Sequence, residues 1–133
     1  MTPVFLDTVG LIALWDESDQ WHEHADAAFR ALADRSAPLV TTTFVLLECG
    51  NAAARRPYRN EVVALGSALQ ARGELLVPTE ADWLAAWTAY EQGSAGDAGI
   101  VDQTSFAVMR RLGIKEAFSN DRHFKAAGFT TLF

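Results

Sequence analysis

PVFLDTVGLIALW, residues 3–15, decides the fold class. Its first half, PVFLDT at 3–8, is apolar and bounded by Pro3 and Thr8, the pattern of a short buried strand. Its second half, VGLIALW, reads as a short helix ended by the polar run Asp16 to Gln20. The same alternation continues outward along the chain. Trp21, Ala25, Ala28, Phe29 and Leu32 recur at helical spacing over Trp21 to Arg35, an amphipathic helix. PLVTTT at 38–43 predicts a second strand, with Thr43 as the N-cap of the helix FVLLECGNAAARR, which should stop before Pro57. A helix over roughly Asn60 to Arg72 should end at Gly73, and ELLVP gives a third strand. Thr79, with Asp82 three residues on, should cap the helix ADWLAAWTAYEQ. GSAGDAG at 93–99 is the one glycine-rich loop and leads into the helix IVDQTSFAVMRRLG. EAFS, the short helix DRHFKAAG and the terminal strand FTTLF complete the pattern. Strands alternating with helices predict an α/β fold, a mostly parallel sheet flanked by helices.

The length of 133 residues predicts a single domain over 1–133, and 50% hydrophobic with 21% charged residues gives material for a continuous core. The longest charge-free stretch, Ser36 to Leu47, falls short of a membrane span. MTPVFLDT has neither a basic n-region nor a cleavage site, so the expectation is a soluble, cytoplasmic chain with no membrane partner. Cys49 is the single cysteine, which precludes an internal disulfide and a cysteine zinc site. His22 and His24, two apart on a helix, face different ways; a histidine zinc site is not expected, and the histidines are placed at the surface. Net charge is −6, from 11 Lys plus Arg against 17 Asp plus Glu, which excludes a general nucleic-acid coat protein. Any polyanion bound here needs local basic residues.

In an open parallel sheet, ligands bind outside the carboxyl ends of the strands. Asp7 follows the first strand, and Asp121 follows EAFS after Asn120. Taken singly, each reads equally well as a turn or cap residue. Glu48 shares a helical stripe with Val45, Cys49 and Ala52, and Asp102 with Phe106 and Met109, so both acids should point inward. Burying an unpaired carboxylate costs several kcal/mol, so these two need partners. Arg55, Arg56, Arg110 and Arg111 are one possibility, although they cluster at the far ends of the helices. A cation is the other, because four carboxylates meeting at one sheet edge supply the hard oxygen donors that Mg²⁺ or Mn²⁺ prefers.

FLDT at 5–8, LLECGN at 46–51, VDQTSFAVMRRLGI at 101–114 and SNDRHFKAAGF at 119–129 together resemble the successive motifs of PIN-domain ribonucleases, most of all the VapC-type toxins of bacterial toxin–antitoxin pairs. The resemblance covers nearly the whole chain. It implies a PIN-like α/β/α sandwich and a metal-dependent endoribonuclease leaving a 5′-phosphate and a 3′-hydroxyl. It further implies an acidic Mg²⁺ or Mn²⁺ site made of Asp7, Glu48, Asp102 and Asp121, with polar support from Thr8, Asn51 and Ser119. RNA as substrate, a cognate antitoxin and a homodimer follow by the same analogy. Asp97 has no firm counterpart in the family; it reads as a loop or N-cap residue, with a fifth ligand as the lesser option. Arg55, Arg56 and Arg59 after the Glu48 helix, and Arg122 and Lys125 beside Asp121, are candidate RNA contacts. Arg110 and Arg111 are expected on an ordinary solvated surface. Trp83, Trp87 and Tyr90, at i, i+4 and i+7, are expected to pack in the core rather than stack on bases or receive a partner's helix. A phospho-acceptor module would need a lysine at a strand's carboxyl end, where neither Lys115 nor Lys125 is placed. A catalytically silent PIN-fold module that binds RNA or protein remains the alternative, and the four intact acids weigh against it.

Overall fold

A computed structural model of the protein describes residues 2–133. Its strands are β1 (Val4–Leu6), β2 (Leu39–Thr42), β3 (Leu75–Leu76), β4 (Glu116–Phe118) and β5 (Thr130–Thr131). They form one five-stranded sheet in the order β3-β2-β1-β4-β5, with every pairing parallel. The helices that flank it are α1 (Thr8–Trp15), α2 (His22–Asp34), α3 (Thr43–Ala53), α4 (Arg59–Ala71), α5 (Glu80–Gln92), α6 (Ile100–Leu112) and α7 (Arg122–Ala126). The mostly parallel α/β architecture expected from the alternation is the one observed. Among the described residues, no helix is long and apolar enough to cross a membrane.

The chain builds outward from β1 through β2 to β3, then returns to place β4 on the other side of β1. Beyond the carboxyl ends of β1 and β4 the connections therefore leave in opposite directions, which opens a crevice there. Both strands are buried. Val4, Phe5 and Leu6 are fully enclosed, as are Ala117 and Phe118, as expected for a parallel sheet covered on both faces. Phe118 meets Phe29 of α2 edge to face at 5.4 Å, and Phe106 of α6 meets Phe124 of α7 in the same way at 4.9 Å.

Helix ends follow local chemistry, with one shift from expectation. Thr42 rather than Thr43 caps α3: its hydroxyl accepts from the Val45 amide at 3.1 Å, while Thr43 is already helical. Thr79 and Asp82 form the expected capping box of α5, and Gly93 and Gly113 close α5 and α6 at φ of 68° in each case. Asp82 also takes both guanidinium contacts of Arg111, at 2.9 and 2.8 Å, tying α5 to α6.

The aromatic row of α5 is not core. Trp83, Trp87 and Tyr90 are 43, 41 and 50% exposed. They stand edge to face at 5.7 and 5.4 Å, a row that continues from Phe44 of α3 at 5.9 Å. α5 buries Asp82 and Ala86 instead, so small and paired side chains form its inner face and the aromatic stripe, one position on, is turned outward.

α1 approaches β4 at a glycine. A Cβ on Gly10 would collide with the Phe118 carbonyl oxygen and lie 2.9 Å from the Phe118 ring. Alanine is the better helix former by about 1 kcal/mol, yet the overlap should dominate. Gly10→Ala is expected to destabilise the fold by about 2 kcal/mol or more, read as a lower urea midpoint; an equal or higher midpoint would show that α1 can move away from β4 at little cost.

Candidate functional site

The crevice beyond β1 and β4 holds the acids. Asp7 is the N-cap residue of α1, placed there because β1 ends at Leu6 and the chain turns directly into a helix. Asp121 caps α7 two residues beyond Ser119, which follows β4, and its carboxylate accepts from the His123 amide at 2.9 Å. Glu48 comes from the middle of α3 and Asp102 from the first turn of α6. Asp7, Thr8, Val9, Glu48, Asn51, Ala52, Asp102 and Asp121 line one cleft. The four acids singled out from sequence are thus brought together, with Thr8 and Asn51 at the same opening and Ser119 buried beneath.

Three of the carboxylates are each held through one of their two oxygens. Ser119 Oγ donates to Asp7 Oδ2 at 2.8 Å and accepts from the Asp121 amide at 3.0 Å, joining the ends of β1 and β4. Thr8 Oγ1 donates to Glu48 Oε1 at 2.7 Å, joining α1 to α3. Asp121 Oδ1 accepts from the His123 ring at 2.8 Å. Among the described residues, these bonds leave Asp7 Oδ1, Glu48 Oε2 and Asp121 Oδ2 without a side-chain donor, available to an external cation.

The grouping shifts the acids' protonation. Asp7 is pushed up to about 8, first by desolvation and then by the Asp102 charge, with Ser119's hydrogen bond opposing. Asp102 is pushed up to about 6 by burial and then by the Asp121 and Glu48 charges. Ligand atoms of Asp102, Asp121 and His123 lie within 4.8 Å of one another. Two like charges at that distance repel by roughly 3 kcal/mol at an effective dielectric near 20. Burial is the larger cause of both raised pKa values, and like-charge repulsion adds to it.

The arginines anticipated as possible partners of the inward acids are elsewhere. Arg111 is engaged by Asp82. Arg110 donates to the Ala127 carbonyl at 2.9 Å and lies over the Phe106 and Phe129 rings, so both arginines are at the surface as expected but each is bonded to the fold. Arg55 and Arg56 line a depression with Asn51, Ala52 and Ala54; Asn51 and Ala52 also line the acidic cleft, so the two are contiguous. Arg59 donates to the Ala54 carbonyl at 3.2 Å at the start of α4. Lys125 is exposed on α7, and Arg122 lies 3.6 Å from Asp97.

His123 and Asp97 are where expectation and structure part. His123 is not a surface histidine: its ring lies between Asp121 Oδ1 at 2.8 Å and Asp97 Oδ1 at 2.5 Å. His22 is also half-buried, with Nδ1 2.9 Å from the Ala13 carbonyl. Asp97's hydrogen bond is the main cause of an upward shift in the His123 pKa, with Asp121 adding to it. Asp97 is the loop residue expected rather than an N-cap, since Gly99 holds that position in α6, and it does not line the cleft. SNDRHF carried a usable signal, because a side chain two residues after an N-cap aspartate can fold back onto it.

Residues 4–130 match the model of the PIN domain family. The 23S rRNA-specific endonuclease VapC20 of Mycobacterium tuberculosis, in strains CDC 1551 and H37Rv, is 32% identical over 127 residues, 95% of each chain. This chain belongs to the PIN-domain family of VapC-type ribonucleases. The crystal structure of M. tuberculosis VapC20, described as a sarcin-ricin loop cleaving toxin, superposes on this PIN domain with a TM-score of 0.77 at 30% identity, covering 96% of each chain. FitAcB from Neisseria gonorrhoeae shares the fold at a TM-score of 0.63 and 16% identity, over 98% of this chain and 96% of that one. The VapC-type PIN domain is an RNA-hydrolysing enzyme, and its cleft carries the oxygen-donor set of a divalent-cation site.

In the cation-free PIN domain, the raised Asp7 pKa fixes the sign of a pH dependence. Its folded value, about 8, exceeds the unfolded 3.8, so the stabilisation is complete below the lower value and lost as pH rises through the higher. Thermal melts in EDTA should therefore fall in midpoint between about pH 5 and pH 8. Asp7→Asn, which cannot titrate, should flatten that slope and melt above the wild type at the alkaline end. A wild-type midpoint that does not fall over this range would refute the proposed protonation of Asp7.

Proposed function

We propose that Asp7, Glu48, Asp102 and Asp121 form the catalytic site of this ribonuclease, holding Mg²⁺ or Mn²⁺ against the scissile phosphate of RNA. The observation that carries the reading is the convergence of four carboxylates from two strand ends and two helices on one cleft, with no arginine paired to Glu48 or Asp102 among the described residues. The donor set fits a hard divalent cation: all carboxylate oxygens, two of the acids with raised pKa. When bound, such an ion lowers the pKa of a water and neutralises charge on the phosphoryl oxygens.

The chain's own residues then divide the work. Ser119 holds Asp7 and, through the Asp121 amide, the turn after β4, so the two strand-end acids keep a fixed spacing. Thr8 holds Glu48 by Oε1, leaving Oε2 as a ligand or as acceptor of a proton from the attacking water. Hydrolysis forms a water oxygen–phosphorus bond and breaks the bond to the 3′ oxygen, giving 5′-phosphate and 3′-hydroxyl ends. Asn51 stands between the acids and the Arg55–Arg56 depression, a route for the phosphates next to the cut, with Arg122 and Lys125 beyond Asp121; Arg59 donates to the carbonyl of Ala54, which lines that depression. Likeness to the 23S rRNA-specific relative supports ribosomal RNA as the substrate and an antitoxin protein as the partner that silences the site. The exposed row Trp83, Trp87 and Tyr90, with Leu84, supports a homodimer through α5.

Incubated with ribosomes and Mg²⁺ or Mn²⁺, the protein is expected to cut 23S rRNA at a defined position, shown by sequencing the product ends. EDTA should abolish this, and Asp7→Asn should lower it by about a hundredfold or more, given that even groups behind metal ligands are worth 10–100-fold. Cleavage that persists in excess EDTA would overturn the metal site. Trp87→Glu is expected to convert a dimer seen by light scattering at micromolar concentration into a monomer; a wild type that is itself monomeric would remove the dimer.

A further inference from the structure

We infer that Asp97 and His123 are positioning residues for this site: Asp97, on the loop between α5 and α6, fixes the His123 ring, and the ring fixes the carboxylate of Asp121. The inference rests on the reading of Asp121 as a cation ligand. Asp121 Oδ1 accepts twice, from the His123 amide at 2.9 Å and from ring Nδ1 at 2.8 Å. The first contact completes the cap of α7; the second is not needed for capping. With Oδ1 doubly held, the carboxylate presents Oδ2.

His123 cannot itself be the ligand in this arrangement. Nδ1 faces Asp121 and Nε2 faces Asp97, so neither ring nitrogen keeps a free lone pair for a cation. A carboxylate holding the far nitrogen of a histidine is a general means of orienting what the near nitrogen contacts. Here the near contact is a carboxylate rather than a metal.

The loop is shaped to deliver Asp97. After the left-handed Gly93, Ala95 and Gly96 also adopt positive φ, 55° and 69°, and the Gly96 amide returns to the Gly93 carbonyl at 3.1 Å. A left-handed residue bearing a Cβ is costly, by about 1 kcal/mol, and needs support. The support comes from buried Gln103, whose Nε2 donates to the Ser94 carbonyl at 2.6 Å, and from Ala98, buried beside Asp97. Arg122 gives Asp97 Oδ1 a second, looser contact at 3.6 Å. The Asp97 side chain is nonetheless 79% exposed while the His123 ring is 19% exposed. Such exposure makes a large contribution of Asp97 to stability unnecessary, and separates positioning from folding in a test.

The test is Mn²⁺ binding to the full chain without RNA, by titration calorimetry, alongside thermal melts, for wild type, Asp97→Ala and Asp97→Asn. Asp97→Ala should weaken Mn²⁺ about tenfold with the melting temperature held, and raise the Mn²⁺ concentration for half-maximal RNA cleavage in parallel. Asp97→Asn keeps an oxygen that accepts from Nε2 and should recover most of the loss. Wild-type affinity in Asp97→Ala, an equal loss in both variants, or a melting temperature that falls with the affinity each overturn the inference. A wild type that binds no Mn²⁺ overturns it too, and is the one outcome that also removes the reading of the cleft as a cation site.

Discussion

Asp7 follows the central strand directly with 1% of its surface exposed, and its charge is opposed by burial and by two neighbouring carboxylates. The carboxyl edge of the sheet is arranged around that cost. Ser119 supplies the one side-chain donor Asp7 has among the described residues, and it can do so only because β4 is zipped to β1 in the register that sets Leu6 beside Phe118. The close approach of α1 to β4 at Gly10 secures that register from the helix side. Thr8, the next residue after Asp7, extends the same device to Glu48 on α3. A protein selected for stability alone would replace such acids with apolar side chains. Their convergence in one cleft is what supports the proposed cation site.

Much of this was legible in the sequence, for identifiable reasons. Every strand and helix was placed in its order, because short apolar β-rich runs and longer 3.6-period runs alternate cleanly. The acids could be gathered before any coordinates, since two follow strands directly and two sit on otherwise apolar helical stripes. What failed turned on which side of an element faces its neighbours. Thr42 and Thr43 are chemically the same cap one residue apart. The aromatic stripe of α5 looked like core because its amplitude is greater than that of the Asp82 and Ala86 face, yet the charge of Asp82 is answered by Arg111, 29 residues away. The Asp97–His123 contact spans 26 residues through an irregular loop, where no periodicity exists to read.

The basic residues reconcile an acidic chain with an RNA substrate in a similar way. Arg111, Arg110 and Arg59 serve the fold, bonded to Asp82 or to backbone carbonyls. Arg55 and Arg56 line a depression that shares two residues with the cleft. Net charge therefore understates the capacity for phosphate: four of the seventeen acids line the cleft, where bound cations would cancel them, and Arg55 and Arg56 lie along its rim.

The bond between Ser119 and Asp7 joins residues 112 apart, and β1 meets β4 across almost the same interval. Pairings of such long range form late in folding, because the entropy of closing a large loop is lost before their contacts compensate it. During synthesis Asp7, Thr8 and Glu48 emerge well before Ser119 and Asp121, so the nascent polypeptide has the Thr8–Glu48 pair before it has the serine that holds Asp7. The cleft is complete only when the fourth strand docks beside the first.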